Sequence, residues 1–435
     1  MVAAESTAEA MRIAGEVAPG ASGQDGRSWI PCLLMLAALK MALRRFGNEL
    51  EARPRVAADK APGAWLAGPV STLIKTAGRL ISHEVAIATE SVRSSQAPPP
   101  DLRLVVGGVF GGYVALGAPG QQTDTSRHQR RDERRWDRLR LQPNILHTSG
   151  YEWSLFQNGV LVERLPCSWR GVARNGGGSI RDADVERFSS IMSRWFTWQP
   201  VVGRKPKEQA ELLAPLCRLL REEVADALCD PVSPLADRIN GWRSLLSPGA
   251  SDEGLADAYA QMVAFALLLA RWEGADVCDI AGAVTALEAN HTLLSHALQI
   301  LADARNRLEV ESSLAPLQRV INAFPGRTTR HDQHDAEDDW LRFYEHFLAI
   351  YDPKLRAEMG AYYTPAQVVE CQVALVDDLL RSRLKKAGGF AHKDVVVIDP
   401  AVGTGTYLLG VVRHAMDAVR RVEKPKAVVA QASSL

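Results

Sequence analysis

The sequence predicts a multidomain α/β protein, and three observations lead there. Runs of β-branched and aromatic residues between turn signals recur from Leu102 to Leu165. Helical spacing takes over from about residue 205 to 323. Near the C-terminus a β-rich run, a glycine-rich turn and an amphipathic stretch follow one another as strand, turn and helix. At 435 residues the chain exceeds one ordinary core and should form about two to four domains.

Composition narrows the class. Hydrophobic residues at 46% and charged residues at 23% exclude a wholly disordered chain, a collagen and a coiled-coil rod. The 51 Lys+Arg balance the 51 Asp+Glu, so no global field draws nucleic acid or anionic lipid, and any DNA contact falls to local basic patches. Cys32, Cys167, Cys217, Cys229, Cys278 and Cys371 are scattered without a Cys-x-x-Cys pair, which argues against a disulfide scaffold or structural zinc. The apolar run Trp29 to Leu43 contains Pro31 and Lys40 and falls short of the ~20 residues that span a bilayer. Residues 1–28 are mixed and acidic early, unlike a secretory leader. The expected location is cytoplasmic, with no membrane partner.

Along the chain, residues 29–47 read as a helix, Arg53–Gly68 as loop, and Pro69–Ser82 as a helix through Val70, Leu73, Ile74, Ala77 and Ile81. Val85–Thr89 is β-prone, and Pro98-Pro99-Pro100 breaks the chain. Strands are expected at Leu102–Val106, Tyr113–Leu116, Asn144–Thr148, Trp153–Gln157 and Val160–Leu165, the last following the hairpin dipeptide Asn158-Gly159. Leu255, Tyr259, Met262, Ala266 and Leu269 mark a helix apolar nearly all round, hence buried. Arg327–Asp339 reads as an acidic linker, and Trp340, Phe343, Tyr344, Phe347 and Tyr351 as the inner stripe of the next helix. Thr364-Pro365-Ala366-Gln367 carries an N-cap, a proline in the first turn and a Gln three residues on; the helix should run to about Lys386 and stop at Gly388-Gly389. Asp394–Ile398 reads as a strand buried on both faces, and Thr406–Arg421 as the helix after the turn.

That turn carries the chemistry. Strand, glycine-rich turn and helix set backbone N–H groups and a helix N-terminus at the carboxyl end of a parallel sheet, where such folds bind ligands. Gly403 and Gly405 permit close backbone approach, and Asp399 offers an acceptor to an amino group or hydroxyl. A plain tight turn is the competing reading, since Leu408 stands where a dinucleotide pattern wants a third glycine and no Gly-Lys-Ser/Thr is present.

Asp399-Pro400-Ala401-Val402-Gly403-Thr404-Gly405, continuing to Leu409, resembles the S-adenosyl-L-methionine motif of DNA adenine-N6 methyltransferases. Gly360-Ala-Tyr-Tyr363-Thr364-Pro365 is similar to the segment that lies before the Rossmann-like core in those enzymes and folds over the methionine part of the cofactor. The two motifs sit about 40 residues apart in the expected order. Tyr351-Asp-Pro-Lys-Leu-Arg356 resembles the lead-in of large single-chain restriction-modification proteins of the type ISP and type IIG kinds. The resemblance implies SAM-dependent, site-specific adenine-N6 methylation of double-stranded DNA in a restriction-modification or phage-defence system. It also implies that Tyr363, Thr364, Pro365, Asp399, Pro400, Ala401, Gly403, Thr404 and Gly405 hold the cofactor.

Upstream, Pro100-Asp101 with Leu102–Val106, then Gly112 to Gly120 and Leu141 to Trp153, look like the PD-(D/E)xK nuclease core that opens those proteins. Asp101 fits the first metal position. Ala115 occupies the acid position and Gly117 the lysine position, which leaves too few oxygen ligands for Mg²⁺ and implies a degenerate nuclease that does not cut DNA. The helical middle, notably Ala256–Gln261 and Ala266–Arg271, is similar to the spacer of the same proteins.

The family's catalytic tetrapeptide, Asn/Asp-Pro-Pro-Tyr/Phe, is not in the sequence, and no acid follows the expected second strand near Ala427–Ala430 to hold the ribose. The expected organisation is therefore residues 1–68 as an N-terminal segment, 69–200 as the degenerate nuclease-like domain, 201–338 as a helical spacer, and 339–435 as the start of an incomplete methyltransferase domain. Alone it should be inactive, and the sequence leaves open whether a second polypeptide supplies the rest or the chain is a truncated gene or a fragment. The other reading is a non-catalytic remnant or DNA-binding subunit with neither activity.

Two weaker signals remain. Arg127 to Arg140 holds seven arginines against three acids, and Arg127, Arg131, Arg134 and Arg138 share a helical face that either meets phosphates or is simply a solvated, charge-laced surface. His331-Asp-Gln-His334 with its neighbouring acids has metal-capable side chains, but an acidic linker before a helix explains it more cheaply, and no metal is expected.

Overall fold

A computed structural model of the chain describes residues 26–53, 62–89, 100–118, 130–166, 180–203, 205–246, 248–325, 343–354, 364–402 and 405–422. It divides into two compact units, Met1–Val202 with Pro215–Arg327, and Gly203–Ala214 with Thr328–Leu435. The architecture is mixed α/β.

In the first unit, helix α1 (Gly26–Ala52) places Leu39, Leu43, Phe46 and Leu50 at three- and four-residue intervals, and all four are buried. Helix α2 (Pro62–Leu80) begins inside the stretch that the sequence suggested was loop, and Pro69 lies in its interior. Pro69 has no N–H for the carbonyl of Trp65, four residues back. The Arg53 guanidinium donates to that carbonyl instead, at 2.8 Å, so the helix passes through the proline without an orphaned acceptor.

Six strands form one sheet in sequence order: β1 (Val85–Thr89), β2 (Leu102–Val106), β3 (Val109–Leu116), β4 (Asn144–Thr148), β5 (Glu152–Gln157) and β6 (Val160–Pro166). All neighbours are antiparallel except β3 and β4, which run parallel because helix α3 (Arg130–Leu139) crosses between them. The five strands expected from Leu102 onward all form, β3 starting earlier at Val109. One sheet face carries Leu102, Leu104, Val114, Leu116, Leu146 and Trp153 into a core with α1, α2 and helix α4 (Asp182–Phe196). The other carries Tyr113, Ala115, Ile145 and Phe156 against Trp136 and Leu139 of α3.

The unit continues in helix α5 (Pro206–Cys229), of which it holds the part from Pro215 on, and in α6 (Pro234–Leu246), α7 (Asp252–Trp272), α8 (Ile280–Glu288), α9 (Thr292–Ala302), α10 (Ala304–Leu308) and α11 (Glu311–Asn322). Helix α7 starts on Ser251, whose hydroxyl accepts the Gly254 N–H at 3.1 Å. Among the described residues α7 alone is long and apolar enough to cross a membrane, yet over half of its apolar window is buried against protein, as its all-round apolar pattern predicts. The N-terminus of α11 docks on the sheet: the Ser312 carbonyl accepts from Tyr113 Oη at 2.9 Å and Gln142 Nε2 at 3.1 Å, and Glu311 pairs with Arg103.

The second unit contains a helical stretch at 343–351 with Phe343, Phe347 and Tyr351 buried, helix α12 (Ala366–Ser382), a short 3-10 turn (Gly389–Ala391) and helix α13 (Thr406–Val422). Trp340 lies outside the described residues. Two expectations are corrected here. The cap of α12 is Pro365, not Thr364: Pro365 itself is extended (φ −52°, ψ 133°), so the helix begins at Ala366, and proline has no side-chain acceptor to close the end. The run 394–398 does not form a strand buried on both faces. It has no strand partner among the described residues, and Val396 and Ile398 are 81% and 80% exposed. Only Val395 and Val397 pack inward, which is the alternation of extended chain with one face covered.

Candidate functional site

Within the second unit, residues 399–402 and Gly405 stand beside the packed pair α12 and α13. Gly410 lies against Val369 so closely that an added Cβ would sit 2.7 Å from its methyl, and further along both helices His414 Nε2 comes 3.3 Å from Asp377. Contacts that advance together mean the helices run parallel and start at the same end. Val369, Val373, Phe390, Val411 and Ala415 form the core between them.

The pair is fastened by Asp377. Its carboxylate takes Arg381 Nε at 2.7 Å and the Phe390 N–H at 2.9 Å, and Arg381 also donates to the carbonyls of Ala387 and Gly388 at 2.6 and 3.1 Å. Burial alone would push the Asp377 pKa up, but Arg381, the Phe390 amide and His414 outweigh it and hold the carboxyl below its ordinary value. The sequence signal was an Asp–Arg pair four apart on a helix, followed by Gly388-Gly389. Its role only became visible with the contacts.

At the shared end, Asp399 is half-buried and its Oδ1 accepts the Ala401 N–H at 3.0 Å. Gly405 donates to the Val402 carbonyl at 2.7 Å and accepts from Leu409 at 2.9 Å, which makes it the cap of α13. Its φ is +79°, and a Cβ there would meet nothing within 4 Å. Thr364, half-buried, and Pro365, exposed, lead into α12. Two helix N-termini, each with partial positive charge, thus flank a half-buried carboxylate and the open side of a glycine. That combination suits a ligand carrying a carboxylate and a hydroxyl or amine, and the donors and open space fit S-adenosyl-L-methionine. Tyr363, Gly403 and Thr404 lie outside the described residues. Pro400 and Ala401 are both exposed beside Asp399.

The metal-like position in the first unit has the opposite character. Continuing the β2–β3 register one step beyond Leu102↔Val114 sets Asp101 opposite Ala115. Asp101 Oδ2 accepts the Leu116 N–H at 2.7 Å and Arg135 of α3 at 2.5 Å. Ala115 is buried in the α3-facing cluster, and the Gly117 N–H is tied to the Thr148 carbonyl at 2.9 Å. One carboxylate, already neutralised by a guanidinium, makes a poor cation site. Among the described residues no group of three or more His, Cys, Asp or Glu could hold a metal. The His331–Asp339 cluster falls outside them.

Arg138, on the stripe read as either phosphate-facing or a solvated surface, points toward Glu222, Glu223 and Asp226 of α5 at 3.4–3.8 Å. Glu223 is buried and accepts Ser313 N and Oγ of α11 at 3.1 and 2.6 Å. Desolvation raises its pKa, and Arg138 and the serines offset only part of that. The side chains of Arg127, Arg131 and Arg134 lie outside the description.

Residues 335–428, which include the 399–405 turn, match the family model described as N-6 DNA Methylase. No curated protein matches the chain. Among solved structures it is similar to the one titled "cryoEM structure DrdV-DNA complex", at 19% identity and a TM-score of 0.36 over 90% of this chain and 36% of that one. The chain thus spans a little over a third of that protein's length.

Proposed function

We propose that this chain provides the S-adenosyl-L-methionine-binding opening of a site-specific DNA adenine-N6 methyltransferase in a cytoplasmic restriction-modification or phage-defence system of the type ISP or IIG kind. The observation that carries the reading is the 399–405 turn between two parallel helix N-termini, inside the stretch that matches the methylase family. In this reading the Asp399 carboxylate accepts from the cofactor's hydroxyl or amino group. The α12 N-terminus, with Tyr363, Thr364 and Pro365, faces its carboxylate. Pro400 and Ala401 shape the turn, and Gly403, Thr404 and Gly405 bring backbone amides close. The cofactor, when bound, supplies an electrophilic methyl group for the exocyclic nitrogen of a flipped adenine in double-stranded DNA.

The chain alone is proposed to be inactive, because its sequence lacks an Asn/Asp-Pro-Pro-Tyr/Phe tetrapeptide. The outward Val396 and Ile398 leave an apolar face to be covered, by further sequence or by a second polypeptide that carries the catalytic residues. The first unit's sheet, by the same reading, is a degenerate nuclease core in which the Asp101–Arg135 pair stands where cation ligands would be needed. The second reading, a non-catalytic remnant or DNA-binding subunit, draws on that same closed site.

Calorimetry with S-adenosyl-L-methionine on the 435-residue chain tests the first reading. Binding is expected, with Asp399→Ala weakening it by about tenfold or more. No heat from a well-folded sample overturns the reading. Radiolabelled methyl transfer to DNA should be undetectable, and measurable transfer refutes the incomplete catalytic site. Mg²⁺-dependent DNA cutting by the same chain refutes the degenerate nuclease.

A further inference from the structure

We infer that Tyr407 and Gln372 form a positioning strut that fixes the spacing of the two helix N-termini around the 399–405 turn. The inference rests on the cofactor reading above for its purpose, but its geometry stands apart from it. Tyr407 directly follows the first residue of α13, and its Oη donates to Gln372 Oε1 of α12 at 2.5 Å. The ring packs on the Val369–Val373–Phe390 core, so the phenol is aimed by its own packing and has few other rotamers to visit.

The strut is needed because the other contacts do not define this end. The Asp377 clasp grips the helices further along, beside His414 and the 389–391 turn. Gly410 against Val369 is a close apolar contact, which resists approach but not sliding. Gly405, with open space around it, is a pivot at the base of α13. A short, directional hydrogen bond just past that pivot adds what the apolar contact lacks, holding the start of α13 against sliding along the first two turns of α12. Two helix ends at fixed separation present donors to one ligand without reorganisation on binding.

Three variants of the full chain test this. Tyr407→Phe removes only the hydroxyl, Gln372→Leu removes the acceptor, and Gln372→Glu retains an acceptor and serves as the rescue. Tyr407→Phe and Gln372→Leu are each expected to weaken S-adenosyl-L-methionine binding about three- to tenfold, with the double variant no worse than either single one and Gln372→Glu within about twofold of the parent. Melting temperature should move by no more than about 2 °C, because an exposed hydrogen bond adds little to global stability. Independently of any ligand, amide hydrogen exchange across 399–409 should quicken in Tyr407→Phe. Unchanged exchange there overturns the strut whether or not the cofactor binds. Additive effects on binding, or none, overturn its positioning role. No binding by the parent chain overturns the cofactor reading and leaves the exchange result to decide the strut.

Discussion

Asp101 and Asp399 each stand where extended chain meets small residues, and their surroundings differ in what the protein has already supplied. Asp101 accepts from a backbone amide and an arginine, both within 2.7 Å. Among the described residues, Asp399 is matched only by the amide two residues on. The glycines nearby repeat the contrast with the backbone held constant. Gly150 and Gly405 both have φ of +79°, so a side chain strains each equally, but a Cβ at Gly150 would sit 2.8 Å from Leu50 and 3.0 Å from Leu66 while one at Gly405 meets nothing. Where the fold fills its own space and satisfies its own charge, a motif residue is structural. Where it leaves both open, it is available to a ligand.

The largest effect expected is at that glycine pair. Gly150→Ala should destabilise the first unit by about 3 kcal/mol, from backbone strain plus overpacking. Gly405→Ala, with strain alone, should cost the second about 1 kcal/mol. Every tryptophan but Trp340 belongs to the first unit, so tryptophan fluorescence during denaturant unfolding reports the Gly150 change. Equal costs at the two positions would mean that the open space beside Gly405 is filled.

Next is the carboxylate pair. Arg135→Met leaves Asp101 about a fifth exposed with no cation, for an expected loss of about 2 kcal/mol in the first unit. Adding Asp101→Asn should recover part of that loss, because the unpaired charge then disappears. Asp399→Asn should change stability by less than about 0.5 kcal/mol while weakening cofactor binding, as expected of a side chain that supports no other contact of weight. A large stability loss from Asp399→Asn would erase the distinction between the two sites.

The same contrast explains what local sequence could reveal. Strands β2 to β6 alternate or run apolar between clear turns, so their places were legible. Arg135 was not, since it arrives on a helix whose docking no local spacing encodes. Arg138 shows the same limit: it does lie on a helix, but its carboxylates lie on α5, more than 80 residues on. Pro69 reads as a helix start until Arg53 is seen to satisfy the Trp65 carbonyl. A run such as Asp394–Ile398 invites a buried-strand reading because composition records β propensity, whereas a strand exists only where a partner hydrogen-bonds to it.

Acid should separate the units by the sign of their buried carboxylates, the smallest of the expected effects. Asp377 is held below its ordinary value in the folded state. Its contribution is therefore complete above the unfolded value of about 3.9 and fades as pH falls below that toward the folded one. Glu223 is raised, chiefly by desolvation. Its contribution is complete below the unfolded value of about 4.3 and fades as pH rises through the folded one. The melting-temperature deficit of Asp377→Asn relative to the parent should accordingly be present at pH 6 and shrink below about pH 4. Glu223→Gln, which fixes the neutral state, should compare worst with the parent at low pH and improve relative to it as pH rises. Parallel pH trends for the two variants would mean that the clasp on α12 and the buried acid on α5 share one electrostatic environment. Opposed trends follow if guanidinium, amide and imidazole partners dominate at the first and loss of water dominates at the second.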